Sequence, residues 1–334
     1  MRFNLAVIGT GYMAHKHCAA LAEHPRAQLA TVCGTERSHL TAEELKSRYG
    51  FARATADYSS VLSDPETDIV FICSPDSFHA QQVCAALKAG KHVFCEKPLA
   101  RTEKEFRDIA RALEKSKNVL QVGMNCRFRE QYSRARDLIV SGDLGELRFL
   151  RGTYIVNVVG AVHRQEKPWW PDCPEGVFPF LHGGAIHCLD LLRWIGGEVD
   201  SVFARATDFE LGSQLKADTF SISFSFAGGA IGELLVAAGA FTPNDFSLEM
   251  WLSRGSIVGS KIFRRTDDSV SASPEQIQVE QKIIDLGLQF SDLVRAIKTK
   301  TCPLNSFAEA EKNFKVLQAI EASVHAGNPV SVIK

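Results

Sequence analysis

Three clusters of residues in this chain have the types and spacing to do chemistry. The first is Gly9-Thr10-Gly11-Tyr12-Met13-Ala14, a G-x-G-x-x-A turn that follows the apolar run Leu5-Ala6-Val7-Ile8 and opens a helix. In such a turn the first glycine permits the tight bend and the second lets the backbone approach a pyrophosphate. The small third residue allows close packing of helix on strand. The helix N-terminus adds unpaired N–H groups and a partial positive charge. Set between a strand and a helix, Gly9, Thr10, Gly11, Tyr12 and Met13 read as a dinucleotide cradle rather than a merely structural turn.

The adenosine ribose of a dinucleotide is expected at the end of the second strand, where a carboxylate would take both ribose hydroxyls. Gly34 stands there instead. Glu36 is close enough to substitute, but Thr35, Arg37 and Ser38 could equally surround a 2′-phosphate, and a solvated loop is the plain alternative. NAD and NADP both stay open, with a lean to NADP.

The second cluster comprises Ser74-Pro75-Asp76 with His79, and Glu96-Lys97-Pro98. Both stretches follow predicted strands at their carboxyl ends, the edge where open α/β sheets bind ligands, so a nicotinamide belongs here. Lys97 on such an edge reads as catalytic rather than as a surface charge.

The third cluster is the helix His182-Gly183-Gly184-Ala185-Ile186-His187-Cys188-Leu189-Asp190-Leu191-Leu192-Arg193-Trp194. Taken alone, His187 reads as a core histidine. A metal site built from His182, His187, Cys188 and Asp190 lacks the H-x-x-x-H or H-E-x-x-H spacing, so no metal is expected.

Positioning these groups requires two kinds of sheet. From Phe3 to about Asn125, short apolar runs (Leu5 to Ile8, Leu29 to Cys33, Ala52 to Thr55, Asp68 to Cys73, His92 to Cys95) alternate with helix-period segments. That is the pattern of a doubly wound parallel Rossmann sheet with helices on both faces. Thr102 and Glu105 form a capping box, and Gly50 and Gly90 sit where helices should end. After Gly142 the segments lengthen and alternate. A strand is predicted from Leu147 to Val159, and Phe220, Ile222, Phe224 and Phe226 interleave with Ser221, Ser223 and Ser225. Period two predicts a largely antiparallel, open-faced sheet in an α+β domain. The expected division is 1–124 for dinucleotide binding and 125–334 for substrate binding and oligomerisation, with the C-terminal helices able to pack back on the first domain.

Bulk properties match an ordinary globular protein. A length of 334 residues exceeds one usual core, and 38 basic against 39 acidic residues create no broad field for nucleic acid or anionic lipid. The amino terminus lacks a signal-peptide core, and no apolar stretch approaches the ~20 residues that cross a bilayer. Nine cysteines without C-x-x-C spacing read as reduced and buried. A cytoplasmic protein with no nucleic-acid or membrane partner is expected.

The order of these motifs, from Gly9 to Ala14 through Ser74-Pro75 with His79, Ala89-Gly90-Lys91-His92-Val93, Glu96-Lys97-Pro98 and His187-x-x-Asp190-Leu191-Leu192-Arg193-Trp194, resembles the Gfo/Idh/MocA family over nearly the whole chain. The closing Ala319-Ile320-Glu321-Ala322-Ser323 and Gly327-Asn328-Pro329-Val330 are similar to the family's end. The resemblance implies an NAD(P)-dependent oxidoreductase that moves hydride to or from a carbinol carbon of a sugar, polyol, sugar derivative or related diol. It implies that Lys97 contacts the substrate hydroxyl and the nicotinamide ribose, and that His187 is the acid/base. Asn125 and Arg127-Phe128 would line the cofactor or substrate cleft, and Trp169 and Trp170 would lie in a loop crossing the cofactor. One departure stands out: many members carry Asp or Glu four residues before the histidine, where this chain has Gly183. His182 could fill part of that space, and the substrate is open to differ from the polyols of the best-known members. An NAD-retaining hydrolase or lyase with transient substrate oxidation, and a non-catalytic dinucleotide sensor, are the alternatives on the same fold. The serine-rich face of the Phe220–Phe226 segment is expected to join copies into a homodimer or homotetramer.

Overall fold

Runs such as Leu5-Ala6-Val7-Ile8 and Ile69-Val70-Phe71-Ile72 have no polar face, so they suit strands covered on both sides. The computed structural model describes residues 2–164, 173–266, 269–270, 273–279 and 286–332, and it places these runs side by side in a parallel sheet. The strands are Phe3–Ile8 (β1), Ala27–Cys33 (β2), Arg53–Thr55 (β3), Ile69–Ile72 (β4), His92–Cys95 (β5) and Leu120–Val122 (β6). Their order is β3-β2-β1-β4-β5-β6 with parallel pairing throughout, the doubly wound order of dinucleotide-binding sheets.

The helices of this unit are Tyr12–Ala22 (α1), His39–Tyr49 (α2), Tyr58–Ser63 (α3), His79–Lys88 (α4) and Glu103–Glu114 (α5). The capping box of α5 is formed in both directions: Thr102 Oγ1 accepts the Glu105 N–H at 3.2 Å, and Glu105 Oε2 accepts the Thr102 N–H at 3.0 Å. Gly50 ends α2 in the left-handed conformation, with φ 79°. Leu5, Val7, Cys18, Leu21, Val32, Phe71 and Phe94 make the core together with Phe290, Leu293 and Val294 of the segment Leu286–Thr299. That segment and the chain up to Glu311 therefore group with residues 1–125 in one compact unit.

The second unit contains Glu130–Val140 (α6), Leu147–Ile155 (β7), Val159–His163 (α7), Ile186–Gly196 (α8), Val199–Thr207 (β8), Gly212–Leu215 (α9), Thr219–Phe226 (β9), Ile231–Ala237 (β10) and Asp245–Leu252 (β11). It continues with Gly255–Val258 (β12), Lys261–Thr266 (β13), Ser269–Val270 (β14) and Glu275–Gln276 (β15). After Leu286–Thr299 (α10), Phe307–Ala326 (α11) supplies residues from Lys312 onward, and Val330–Ser331 (β16) closes the sheet edge. The sheet order is β14-β13-β12-β11-β7-β10-β9-β8-β16, with β15 on β13, and only the β10–β7 pairing is parallel among those described.

In β9 the alternation has the expected result. Phe220, Ile222, Phe224 and Phe226 are buried and the intervening serines are exposed. The buried face is covered by a loop and a helix: Phe178 of the loop packs edge-on against Phe220 at 5.2 Å, and Ser323 Oγ on α11 accepts the Ala204 N–H of β8 at 2.9 Å. The predicted strand Leu147 to Val159 is shorter than expected. Asn157 interrupts it, because its Oδ1 accepts the Val159 N–H and its Nδ2 donates to the Ala240 carbonyl, turning the chain into α7. Among the described residues no helix is long and apolar enough to cross a membrane.

Candidate active site

The candidate residues of the first unit come together at one edge, because parallel strands deliver all their carboxyl ends to the same side. Gly9 follows β1 with φ +105°, and a Cβ there would lie 2.5 Å from the Cys73 carbonyl oxygen at the end of β4, so only glycine suits the turn. Gly11 is the N-cap of α1. It offers no side-chain cap, no acidic residue occupies the first turn, and a Cβ at Gly11 would meet nothing within 4 Å. The first-turn N–H groups are thus left to an outside acceptor, an arrangement that fits a pyrophosphate. Tyr12 is 74% exposed beside it, and Thr10 and Met13 are half-buried.

At the end of β2, Gly34 leads into an exposed 3-10 turn, Glu36–Ser38. Ser38 Oγ accepts the Thr35 N–H at 2.8 Å, and Arg37 is exposed. After β4, Ser74 Oγ donates to Gln82 Oε1 at 2.6 Å, with Pro75 half-buried next to it.

Two residues expected to touch a cofactor are turned inward instead. The His79 side chain is buried and bridges two carbonyls, with Nδ1 2.7 Å from Pro98 O and Nε2 2.9 Å from Ser74 O. It ties the turn after β4 to the turn after β5 rather than facing a ligand. Glu96 is also buried, with its carboxylate 2.7 Å from His17 Nε2. Lys97, the next residue, is half-buried, as is Asn125 beyond β6.

In the second unit a π-helical turn, Leu181–Ala185, precedes α8. Close approach of α8 to β7 depends on Gly152, where a Cβ would lie 2.7 Å from Cys188 Sγ. His187 sits half-buried one residue before that contact. One turn further on, Asp190 is fully buried and accepts from Arg127 Nε at 2.8 Å and Arg127 Nη2 at 2.6 Å. Asn313 Nδ2 donates to the same carboxylate at 2.6 Å, and Arg193 Nε donates to Asn313 Oδ1 at 2.7 Å. Bidentate pairing satisfies both buried charges. The expectation that Arg127 lines a cleft is therefore corrected: the side chain is 1% exposed and anchors α8.

His182 is likewise committed inward. Its Nε2 lies 2.9 Å from Glu321 Oε1, which also accepts the Phe178 N–H, so its ring does not take the place of the missing carboxylate at half-buried Gly183. Trp169 and Trp170 lie outside the described residues. Among the described residues no cluster of three or more His, Cys, Asp or Glu has the arrangement of a metal site.

Sequence reasoning missed His17, Glu321 and Asn313. Of these only His17 left a local signal, a polar residue in the buried stripe Ala14, Cys18 and Leu21 of α1.

Residues 3–124 match the family model described as the Gfo/Idh/MocA oxidoreductase family, NAD-binding Rossmann fold, and residues 132–258 match that family's C-terminal domain. The chain belongs to the Gfo/Idh/MocA family. It is similar to the myo-inositol 2-dehydrogenase of Thermotoga maritima, 29% identical over 274 residues that cover 78% of this chain and 76% of that protein. It is also similar to the levoglucosan dehydrogenase of Pseudarthrobacter phenanthrenivorans, 28% identical over 285 residues, covering 76% and 73%. A solved levoglucosan dehydrogenase in complex with NADH and L-sorbose superimposes with a TM-score of 0.86 over 100% of both chains, at 24% identity. As a member of this oxidoreductase family, the chain carries its NAD-binding Rossmann fold in the parallel sheet.

Proposed function

We propose that the chain catalyses reversible oxidation of a secondary alcohol carbon in a sugar, polyol, sugar derivative or related diol. The observation that carries this reading is Lys97, half-buried on the Glu96-Lys97-Pro98 turn at the ligand edge of a sheet whose glycine turn leaves its helix N-terminus uncapped. A bound nicotinamide would supply the hydride acceptor or donor. Gly9 to Met13 would hold the pyrophosphate, and Ser74, Pro75 and Asn125 would border the nicotinamide. His187 takes the hydroxyl proton, a task suited to an imidazole near neutral pH, while the Lys97 ammonium stabilises the alkoxide as it forms. Incubating the protein with each oxidised cofactor and a panel of polyols and sugars tests the reading. Reduced nicotinamide should accumulate with at least one of them.

The lean to NADP rests on Gly34 in place of a ribose-binding carboxylate and on exposed Arg37 and Thr35 beside it. NADP(H) is expected to bind at least as tightly as NAD(H), and Arg37→Ala to weaken NADP(H) alone, because the arginine would lose a charged contact to the 2′-phosphate. Titrating both cofactors against both proteins checks this; a clear NAD(H) preference with a silent substitution would overturn it.

Self-association is proposed through the open face of the second sheet. Ile231, Leu235 and Trp251 are 56%, 44% and 43% exposed on it. Arg151 is paired there with Glu233 at 3.4 Å and Glu249 at 3.8 Å, so opposite charges lie side by side on this face. Small serines and exposed apolar groups suit a symmetric sheet-to-sheet contact. Light scattering should report a dimer or tetramer at micromolar concentration, and Ile231→Lys should shift it toward monomer.

A further inference from the structure

His17 and Glu96 lie 79 residues apart in sequence and meet in the interior of the first unit. Imidazole Nε2 and carboxylate Oε1 are 2.7 Å apart, with side chains 1% and 6% exposed. An ionised carboxylate only accepts, so Nε2 carries the proton of this bond. The other oxygen, Oε2, accepts the backbone N–H of Lys97 at 3.2 Å. The ring is fixed by two phenylalanines, Phe94 at 4.8 Å and Phe71 at 5.7 Å, which stack on each other at 4.7 Å. The space under the carboxylate is equally tight, since a Cβ at Gly123 would fall 3.0 Å from it.

Such a buried carboxylate needs a reason to stay ionised, because removal from water favours its neutral form. Burial pushes the Glu96 carboxyl up. The hydrogen bond and charge of His17, with the charge and backbone N–H of Lys97, outweigh it and hold Glu96 below the ordinary carboxylate range. The other titratable groups facing it are the thiols of Cys73 on the β4 side and Cys95 on β5. Both are pushed up, by burial first and by the Glu96 charge second, so they stay neutral. A full negative charge is thereby kept one residue from Lys97, in surroundings that screen it poorly.

We propose that His17 is a positioning residue for catalysis: from the glycine-turn helix it holds an ionised Glu96 against the Lys97 backbone, which fixes the lysine's turn and favours its ammonium form. This rests on the reading of Lys97 as the group that stabilises the alkoxide. The dinucleotide helix and the catalytic turn are then coupled through one buried hydrogen bond, and the ammonium that the reaction needs is maintained from beneath.

The test compares His17→Leu, His17→Gln and Glu96→Gln with the wild type in turnover, cofactor affinity and the pH dependence of kcat. Leucine removes the donor, while the glutamine amide can restore it; Glu96→Gln removes the charge with little change in volume. His17→Leu and Glu96→Gln are expected to lower kcat roughly 10- to 100-fold, as misplacement of a reacting group does. They should also move the alkaline limb of kcat to lower pH, since loss of a nearby opposite charge makes an ammonium easier to deprotonate. His17→Gln should recover most of both. If His17→Leu does not fold, the Glu96→Gln profile decides. An alkaline limb and kcat matching wild type in a folded Glu96→Gln protein would overturn the proposal, as would a His17→Gln protein no better than His17→Leu. Lys97→Ala separates the two levels: unimpaired turnover in that variant refutes the role of Lys97 itself, whereas lost turnover there with normal Glu96→Gln refutes only the positioning by His17.

Discussion

His187→Ala should lower kcat by roughly 10²–10⁴-fold, the range for loss of a general acid/base, while cofactor affinity stays nearly unchanged. The side chain is half-buried on α8, whose path just after it is fixed by the Gly152 contact at Cys188 and by the Asp190 cluster, so its removal leaves the helix anchored. If His187 were only a core residue, truncation would instead lower thermal stability with turnover kept in the folded fraction. Melting temperature, cofactor affinity and single-turnover rate on the same preparation separate the two outcomes. Near-normal hydride transfer in a folded mutant contradicts the proposed role.

The largest expected loss of stability comes from Asp190→Ala. It strips the buried Arg127 guanidinium of both its hydrogen bonds to the carboxylate and leaves the Asn313 amide without that acceptor. Breaking one side of a buried ion pair leaves an uncompensated charge and costs about 3–5 kcal/mol, several times the effect of a surface pair. Denaturant unfolding should show that loss in the midpoint. A double replacement, Arg127→Met with Asp190→Leu, is expected to be milder than Asp190→Ala, because the unpaired charge is gone. Equal or greater destabilisation in the double variant would contradict this account of the cluster.

What the sequence disclosed and what it hid divide along the distance between partners in the chain. The glycine turn, the Thr102–Glu105 capping box and the alternation of Phe220 to Phe226 are read within a few residues, and local geometry enforces each of them. The edge of the sheet follows from strand direction once the strands are recognised, so Lys97, Ser74 and Asn125 could be placed without seeing a contact. Several side chains that the sequence placed differently or passed over have partners far away in the chain. Arg127 pairs with Asp190 across 63 residues, His182 with Glu321 across 139, and His17 with Glu96 across 79. A polar residue beside a motif looks the same in one dimension whether it faces a ligand or a buried counter-charge. Only burial and the partner distinguish the two, which is why Glu96 and His79 read as cofactor contacts although both are turned inward.

The most direct test of the central claim is the stoichiometry of reduced nicotinamide to product, measured with purified protein and the best substrate from a polyol and sugar panel. A dehydrogenase that relies on Lys97 and His187 forms one reduced nicotinamide for each alcohol carbon oxidised to carbonyl. Conversion of substrate with no net reduced nicotinamide, the signature of transient oxidation in a hydrolase or lyase, would contradict it.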